Sequence, residues 1–130
     1  RMIAVAGPRV DMSRLPSIEG VEVHGFVPDL NRRLAACDVA LTQGGLSTTM
    51  ELTAARRPFL YFPLRDHCEQ NFHVRHRLQQ YGAGQCMDFD GASPENVARA
   101  IRSLVSEPVD YADVESGTAE RAARMLAELV

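Results

Sequence analysis

Residues Val39–Pro63 read VALTQGGLSTTMELTAARRPFLYFP. An apolar run of buried-strand type, Val39–Thr42, enters a glycine pair, Gly44-Gly45, and then a helical pattern over Thr48–Arg57. A second apolar run, Phe59–Phe62, follows between Pro58 and Pro63. Strand, turn, helix and strand in so short a stretch form a βαβ unit. The helix carries the chain back, so the two strands run parallel.

The same alternation extends in both directions. Upstream, Met2–Ala6 is a strand-like run ended by Gly7-Pro8, and Val21–Val27 is another, ended by Pro28-Asp29. Leu30–Cys37 reads as a helix between the second and third strands. Downstream, the pattern predicts a helix over Glu69–Tyr81, a weaker strand over Gln85–Phe89, and helices over Pro94–Ser106 and Ser116–Leu129. Val74, Leu78 and Tyr81 form one helical stripe, closed by Gly82 as a C-cap. Val97, Ala98, Ile101, Leu104 and Val105 form another, behind Ser93 as N-cap and Pro94 in the first turn. A third is Ala119, Ala122, Ala123, Leu126 and Val130. The stretch Gly7–Gly20 is the one connection without a clear helix. The expected fold class is α/β: a three-layer sandwich with a parallel, Rossmann-like sheet of about five strands, covered on both faces, in a single domain over residues 1–130.

Composition narrows the functions. The chain has 130 residues, 45% hydrophobic and 24% charged, which suits one globular core and excludes a disordered segment. No apolar run approaches the length that spans a bilayer, so no transmembrane segment is expected, and no basic-then-apolar opening suggests a secretory signal. The net charge of −3 weighs against a nucleic-acid partner. All fourteen basic residues are Arg, which reads as genome composition and not as a binding signature. Cys37, Cys68 and Cys86 are odd in number and form no CxxC, so a reducing cytoplasm is expected instead of a disulfide framework.

In open α/β sheets, ligands bind beyond the carboxyl ends of the strands. The residues there are Gly7-Pro8-Arg9, Gly25-Phe26-Val27-Pro28, Thr42 through Thr48, and Pro63-Leu64-Arg65-Asp66. The third segment is the sharpest. Two glycines let a ligand approach the backbone, and a helix start supplies unpaired N–H groups and the positive end of a dipole, which suits a phosphate or diphosphate. The segment fits neither the P-loop nor the GxGxxG pattern. The competing reading is a tight turn followed by a capping box, Thr48-x-x-Glu51, that only satisfies the helix end. Asp66-His67-Cys68-Glu69-Gln70-Asn71 follows the fourth strand. It offers acid and amide groups for sugar hydroxyls, or else a solvated first helical turn whose acids complement the dipole. His67, Cys68, His73 and His76 match no common zinc spacing, so no metal is expected. Cys68 beside His67 is a poor nucleophile pair, because sequence neighbours on a helix do not face each other. His24, Cys37 and Cys86 read as structural.

Taken in order, Val23-His24-Gly25-Phe26-Val27-Pro28, Ala36-Cys37-Asp38, and the run from Gln43 to Glu51 resemble the nucleotide-sugar-binding half of GT-B glycosyltransferases. The likeness continues through Ala54-Ala55-Arg56-Arg57-Pro58, Pro63 and Glu69-Gln70-Asn71 to Tyr81-Gly82-Ala83-Gly84, covering about Met2 to Leu104. The relatives it suggests are UDP-glycosyltransferases and the peptidoglycan lipid-intermediate N-acetylglucosaminyltransferases. The resemblance implies that the backbone at Phe26 and Val27 reads the base, and that Gln43, Gly44, Gly45, Ser47 and Thr48 form the diphosphate loop. It gives Glu51 the ribose hydroxyls and Glu69 with Gln70 the sugar.

The implied function is the binding of a nucleoside-diphosphate sugar, UDP-type, in an inverting, metal-independent transfer of a hexosyl group to an acceptor hydroxyl, with no cofactor. Many members carry His where this chain has Gln43, so Arg9 or Arg65 could supply the missing charge. The resemblance also implies a further strand, glycine turn and helix upstream of Met2, and an acceptor-binding domain that brings the general base. By that reading the chain is part of a larger glycosyltransferase, inactive without the acceptor domain, and its sequence identifies no catalytic residue. Ala122, Leu126 and Leu129 share a face of the last helix that could support a homodimer. The alternatives are a nucleotide-sugar 2-epimerase of the same fold, a non-catalytic nucleotide-binding module, and a plain interaction domain.

Overall fold

Five strands form at the five apolar runs. In the computed structural model, which describes residues 1–115 and 117–129, they are β1 (Met2–Val5), β2 (Val21–His24), β3 (Ala40–Gln43), β4 (Phe59–Phe62) and β5 (Gln85–Cys86). All pairing is parallel, as expected. The strands are divided between two sheets, β1-β2 and β3-β4-β5, where a single sheet of five was expected. Hydrophobic runs identify strands, but they do not say which strands pair. The chain correspondingly forms two compact units, Arg1–Arg33 and Leu34–Val130.

In the first unit β1 and β2 pair from Met2 opposite Val21 to Val5 opposite His24. The connection between them contains one 3-10 turn, Met12–Arg14. The Asp11 carboxylate accepts hydrogen bonds from the Ser13 hydroxyl and N–H, which lower its pKa. Helix α1 is only Leu30–Leu34, shorter than the expected Leu30–Cys37.

The second unit holds the main core. Phe59, Leu60 and Tyr61 of β4 are all buried, because β4 is the middle strand and is covered on both faces. Around it pack Ala40, Leu52, Val74, Leu78, Ala83 and Tyr111, with Cys37 and Cys86 partly buried at the margin, as their small apolar character suggested. Gly84 has φ +65°, and an added Cβ would fall 2.3 Å from Phe59 Cε2, so only glycine fits beneath that ring.

The helices are α2 (Leu46–Ala54), α3 (Arg75–Tyr81), α4 (Pro94–Ser106) and α5 (Thr118–Ala127). α4 matches its expected bounds, and the Ser93 hydroxyl accepts from the Asn96 N–H as an N-cap should. The expected helix over Glu69–Tyr81 is composite: a π-helical turn, Glu69–Val74, runs into α3, which Gly82 closes in the left-handed conformation. Met125, Leu126 and Leu129, at the end of α5 and just beyond it, are exposed. The expected helix start at Ser116 and the stripe position Val130 lie outside the described residues. Among the described residues, no helix is long and apolar enough to cross a membrane.

Candidate functional site

The carboxyl ends of β3 and β4 lie side by side. Gln43 pairs with Phe62, and the Gly44 N–H donates to the Phe62 carbonyl at 3.2 Å. Gly44 is buried against the next loop: a Cβ there would stand 3.2 Å from the Pro63 Cα and 3.3 Å from Gln70 Oε1. Gly45 differs, because its missing Cβ would point into open space with nothing within 4 Å. The first glycine is therefore explained by packing. Protein packing does not explain the second.

α2 begins at Leu46, two residues before the expected start. Its N-cap is Gly45, in extended conformation, with no side-chain cap. The capping-box reading of Thr48 and Glu51 does not hold, because Thr48 is already inside the helix. The first closed turn is Thr49 N–H to Gly45 C=O at 3.1 Å. The preceding N–H groups of Leu46, Ser47 and Thr48 have no intrahelical partner, and among the described residues they make no hydrogen bond. Thr49 does not add a group here. It is buried, and its hydroxyl donates back to the Gly45 and Leu46 carbonyls. Ser47 is exposed and Thr48 half-buried. Glu51 lies one turn further on the same side of α2, exposed and without an ion pair among the described residues.

Glu69 and Gln70, expected as an acid–amide pair, have different surroundings. Glu69 is exposed at the start of the π-helical turn. Gln70 is 7% exposed, and its Oε1 accepts from the Leu64 N–H at 2.9 Å. Arg65, one of the two candidates for extra positive charge, pairs with Asp90 from the loop after β5. Phe26 is 71% exposed and Val27 half-buried in the loop after β2, within the first unit.

The arrangement in the second unit is an exposed, uncapped helix start with three free N–H groups, fronted by a glycine and backed by a carboxylate. Such a site favours an anion. A family model for the glycosyltransferase family 28 C-terminal domain matches residues 7–130. The chain belongs to that family.

Its relatives agree. It is 32% identical over 103 residues to an uncharacterised glycosyltransferase of Methanopyrus kandleri, covering 78% of this chain and 30% of that protein. It is 29% identical over 113 residues to the UDP-N-acetylglucosamine–N-acetylmuramyl-(pentapeptide) pyrophosphoryl-undecaprenol N-acetylglucosamine transferase of Acidiphilium cryptum, covering 84% and 30%. Among solved structures it resembles a spinosyn forosaminyltransferase, at 30% identity and TM-score 0.61, covering 82% of this chain and 26% of that one. The chain thus spans under a third of the length of these relatives.

Two features of this family 28 domain were not evident from its sequence. One is the set of bonds made by Asn71, whose side-chain N–H group reaches the carbonyls of Leu64, Arg65 and His67. The other is the Arg65–Asp90 pair. The density of polar groups from Asp66 to Asn71 marked the place. Which of them face inward depends on tertiary packing.

Proposed function

We propose that this domain binds the nucleoside-diphosphate sugar, UDP-type, of an inverting, metal-independent hexosyl transfer. The observation that carries the reading is the uncapped start of α2 behind Gly45. Three unpaired N–H groups and the helix dipole, equivalent to about +0.5 charge, suit a diphosphate. In the transfer an acceptor oxygen attacks the anomeric carbon, and the bond to the diphosphate breaks with its electron pair left on the nucleotide. The acceptor proton passes to a base outside this chain. The free N–H groups of Leu46, Ser47 and Thr48 would stabilise the charge that develops on the leaving diphosphate.

Glu51 takes the ribose hydroxyls in this reading and Glu69 faces the hexose; Phe26 and Val27 are assigned to the base by resemblance alone. Gln43 offers the phosphates a neutral hydrogen bond. Arg65 is paired with Asp90 and is not needed for charge, because the helix start supplies it. The base assignment finds support in the Acidiphilium relative, whose name specifies a UDP sugar. The three free cysteines suit a reducing, cytoplasmic setting.

The same reading places a further strand, turn and helix upstream of Met2 in the whole enzyme, with an acceptor domain N-terminal to them.

Calorimetry with UDP, dTDP and GDP tests the reading. Saturable heat with UDP, stronger than with the other two, is expected; no heat with any of them would leave an interaction domain.

A further inference from the structure

The side-chain amide of Asn71 donates toward three carbonyl oxygens, those of Leu64 (2.7 Å), Arg65 (3.1 Å) and His67 (3.0 Å). An NH2 group has two hydrogens, so both are spent on this loop. Its neighbour Gln70 acts with the opposite polarity and accepts from the Leu64 N–H at 2.9 Å. Two successive side chains thus satisfy the backbone of an irregular loop whose polar groups have no ladder to join. They lie in the π-helical turn Glu69–Val74, a geometry that persists where side-chain contacts reward it. Gln70 also lies against Gly44, so the loop after β4 is joined through this pair to the turn after β3. From the other side, Arg65 is paired with Asp90.

We propose that Asn71 is a positioning residue for the sugar end of the bound nucleotide sugar. It holds the Leu64–His67 loop, and with it Glu69, in register with Gly44-Gly45, and it does not itself touch the ligand. The proposal rests on the reading of this domain as a nucleotide-sugar site. The diphosphate is held at α2, on the other side of Gly44, so loosening the loop affects recognition of the hexose and leaves recognition of the nucleotide intact.

The test compares the unsubstituted chain with Asn71→Ala and Asn71→Asp. The aspartate keeps the shape but turns hydrogen-bond donors into acceptors facing three carbonyls. The probes are UDP, UDP-glucose and UDP-N-acetylglucosamine. In both variants, amide hydrogen exchange at Leu64 should speed up while Phe59–Phe62 stays protected. Affinity for UDP should hold within about twofold, and affinity for the UDP-hexose that the unsubstituted chain prefers should fall roughly tenfold. An equal loss for UDP and UDP-hexose, or no loss for either, overturns the proposal. If neither variant folds, Asn71→Gln, which keeps the amide but changes its reach, takes the same ligand series: a loss confined to the UDP-hexose supports the proposal, and an equal loss or no loss overturns it. An unsubstituted chain that binds no UDP refutes the nucleotide-sugar reading itself. One that binds UDP, with variants that keep their sugar preference, refutes only the role of Asn71.

Discussion

Gly44 stands tightly against Gln70 and Pro63: an added Cβ would lie 3.3 Å from Gln70 Oε1 and 3.2 Å from the backbone of Pro63, so a methyl group fits only if these neighbours give by a few tenths of an ångström. Gly45, one residue on, has nothing within 4 Å in that direction. Adjacent glycines therefore have different reasons for being glycine, and substitution separates them.

Gly44→Ala should destabilise the domain by about 1–3 kcal/mol through overpacking. Gly45→Ala should cost less than about 1 kcal/mol, the loss of a weak N-cap, because its backbone angles suit alanine. A methyl at Gly45 would nevertheless stand where the proposed diphosphate would approach. Urea unfolding and UDP calorimetry on both variants check this. Lower stability at Gly44 and lower affinity at Gly45 are expected, and a Gly45→Ala variant that binds UDP normally would count against the site.

Glu51→Ala should leave stability within about 0.5 kcal/mol, since the exposed carboxylate caps nothing. Charged hydrogen bonds to ribose hydroxyls are worth about 1.5–3 kcal/mol, so UDP affinity should fall about tenfold to a hundredfold. Unchanged affinity on titration would remove Glu51 from the site.

Gly84→Ala should be among the most damaging single changes. It places a β-carbon at φ +65° and drives it into the Phe59 ring. A loss of about 2–5 kcal/mol follows from adding strain to overpacking. Thermal unfolding of the variant measures it, and a midpoint near that of the unsubstituted chain would contradict the packing described at Phe59.

Much of this architecture can be read from the sequence where burial and chain chemistry agree. β4 has its expected bounds because two prolines frame a run that is buried on both faces. α4 does too, because Ser93 and Pro94 mark its start unambiguously. α2 is misjudged for a physical reason: Thr48-x-x-Glu51 imitates a capping box, while the true N-cap, Gly45, has no side chain to announce it. The π-helical turn is hidden because Val74, Leu78 and Tyr81 keep ordinary helical spacing. At the candidate site, the rule that ligands sit beyond strand ends points to the loops after β3 and β4, which the fold brings side by side. It does not reveal that Gln70 turns its oxygen to Leu64, because that depends on which side chains the fold presses together.

The fold also sets a pH limit. Burial, then the neighbouring Cys86, pushes the Tyr61 phenol well above the usual range, and burial raises Tyr111. Both are protonated in the native state where the unfolded chain would ionise them. Their contribution is complete below about pH 10 and falls as pH rises, by up to about 1.4 kcal/mol per pH unit for each phenol. Urea midpoints should drop above that pH, and Tyr61→Phe should flatten the decline. An equally steep decline in the variant would assign the effect elsewhere.

The account depends most on the free N–H groups that open α2, and they can be observed directly. In a titration of the isotopically labelled chain with UDP, the amide resonances of Gly45, Leu46, Ser47 and Thr48 should move together and saturate with one dissociation constant. If those four amides stay in place at a UDP concentration that shifts resonances elsewhere, or if nothing in the chain responds, the diphosphate does not bind at this helix.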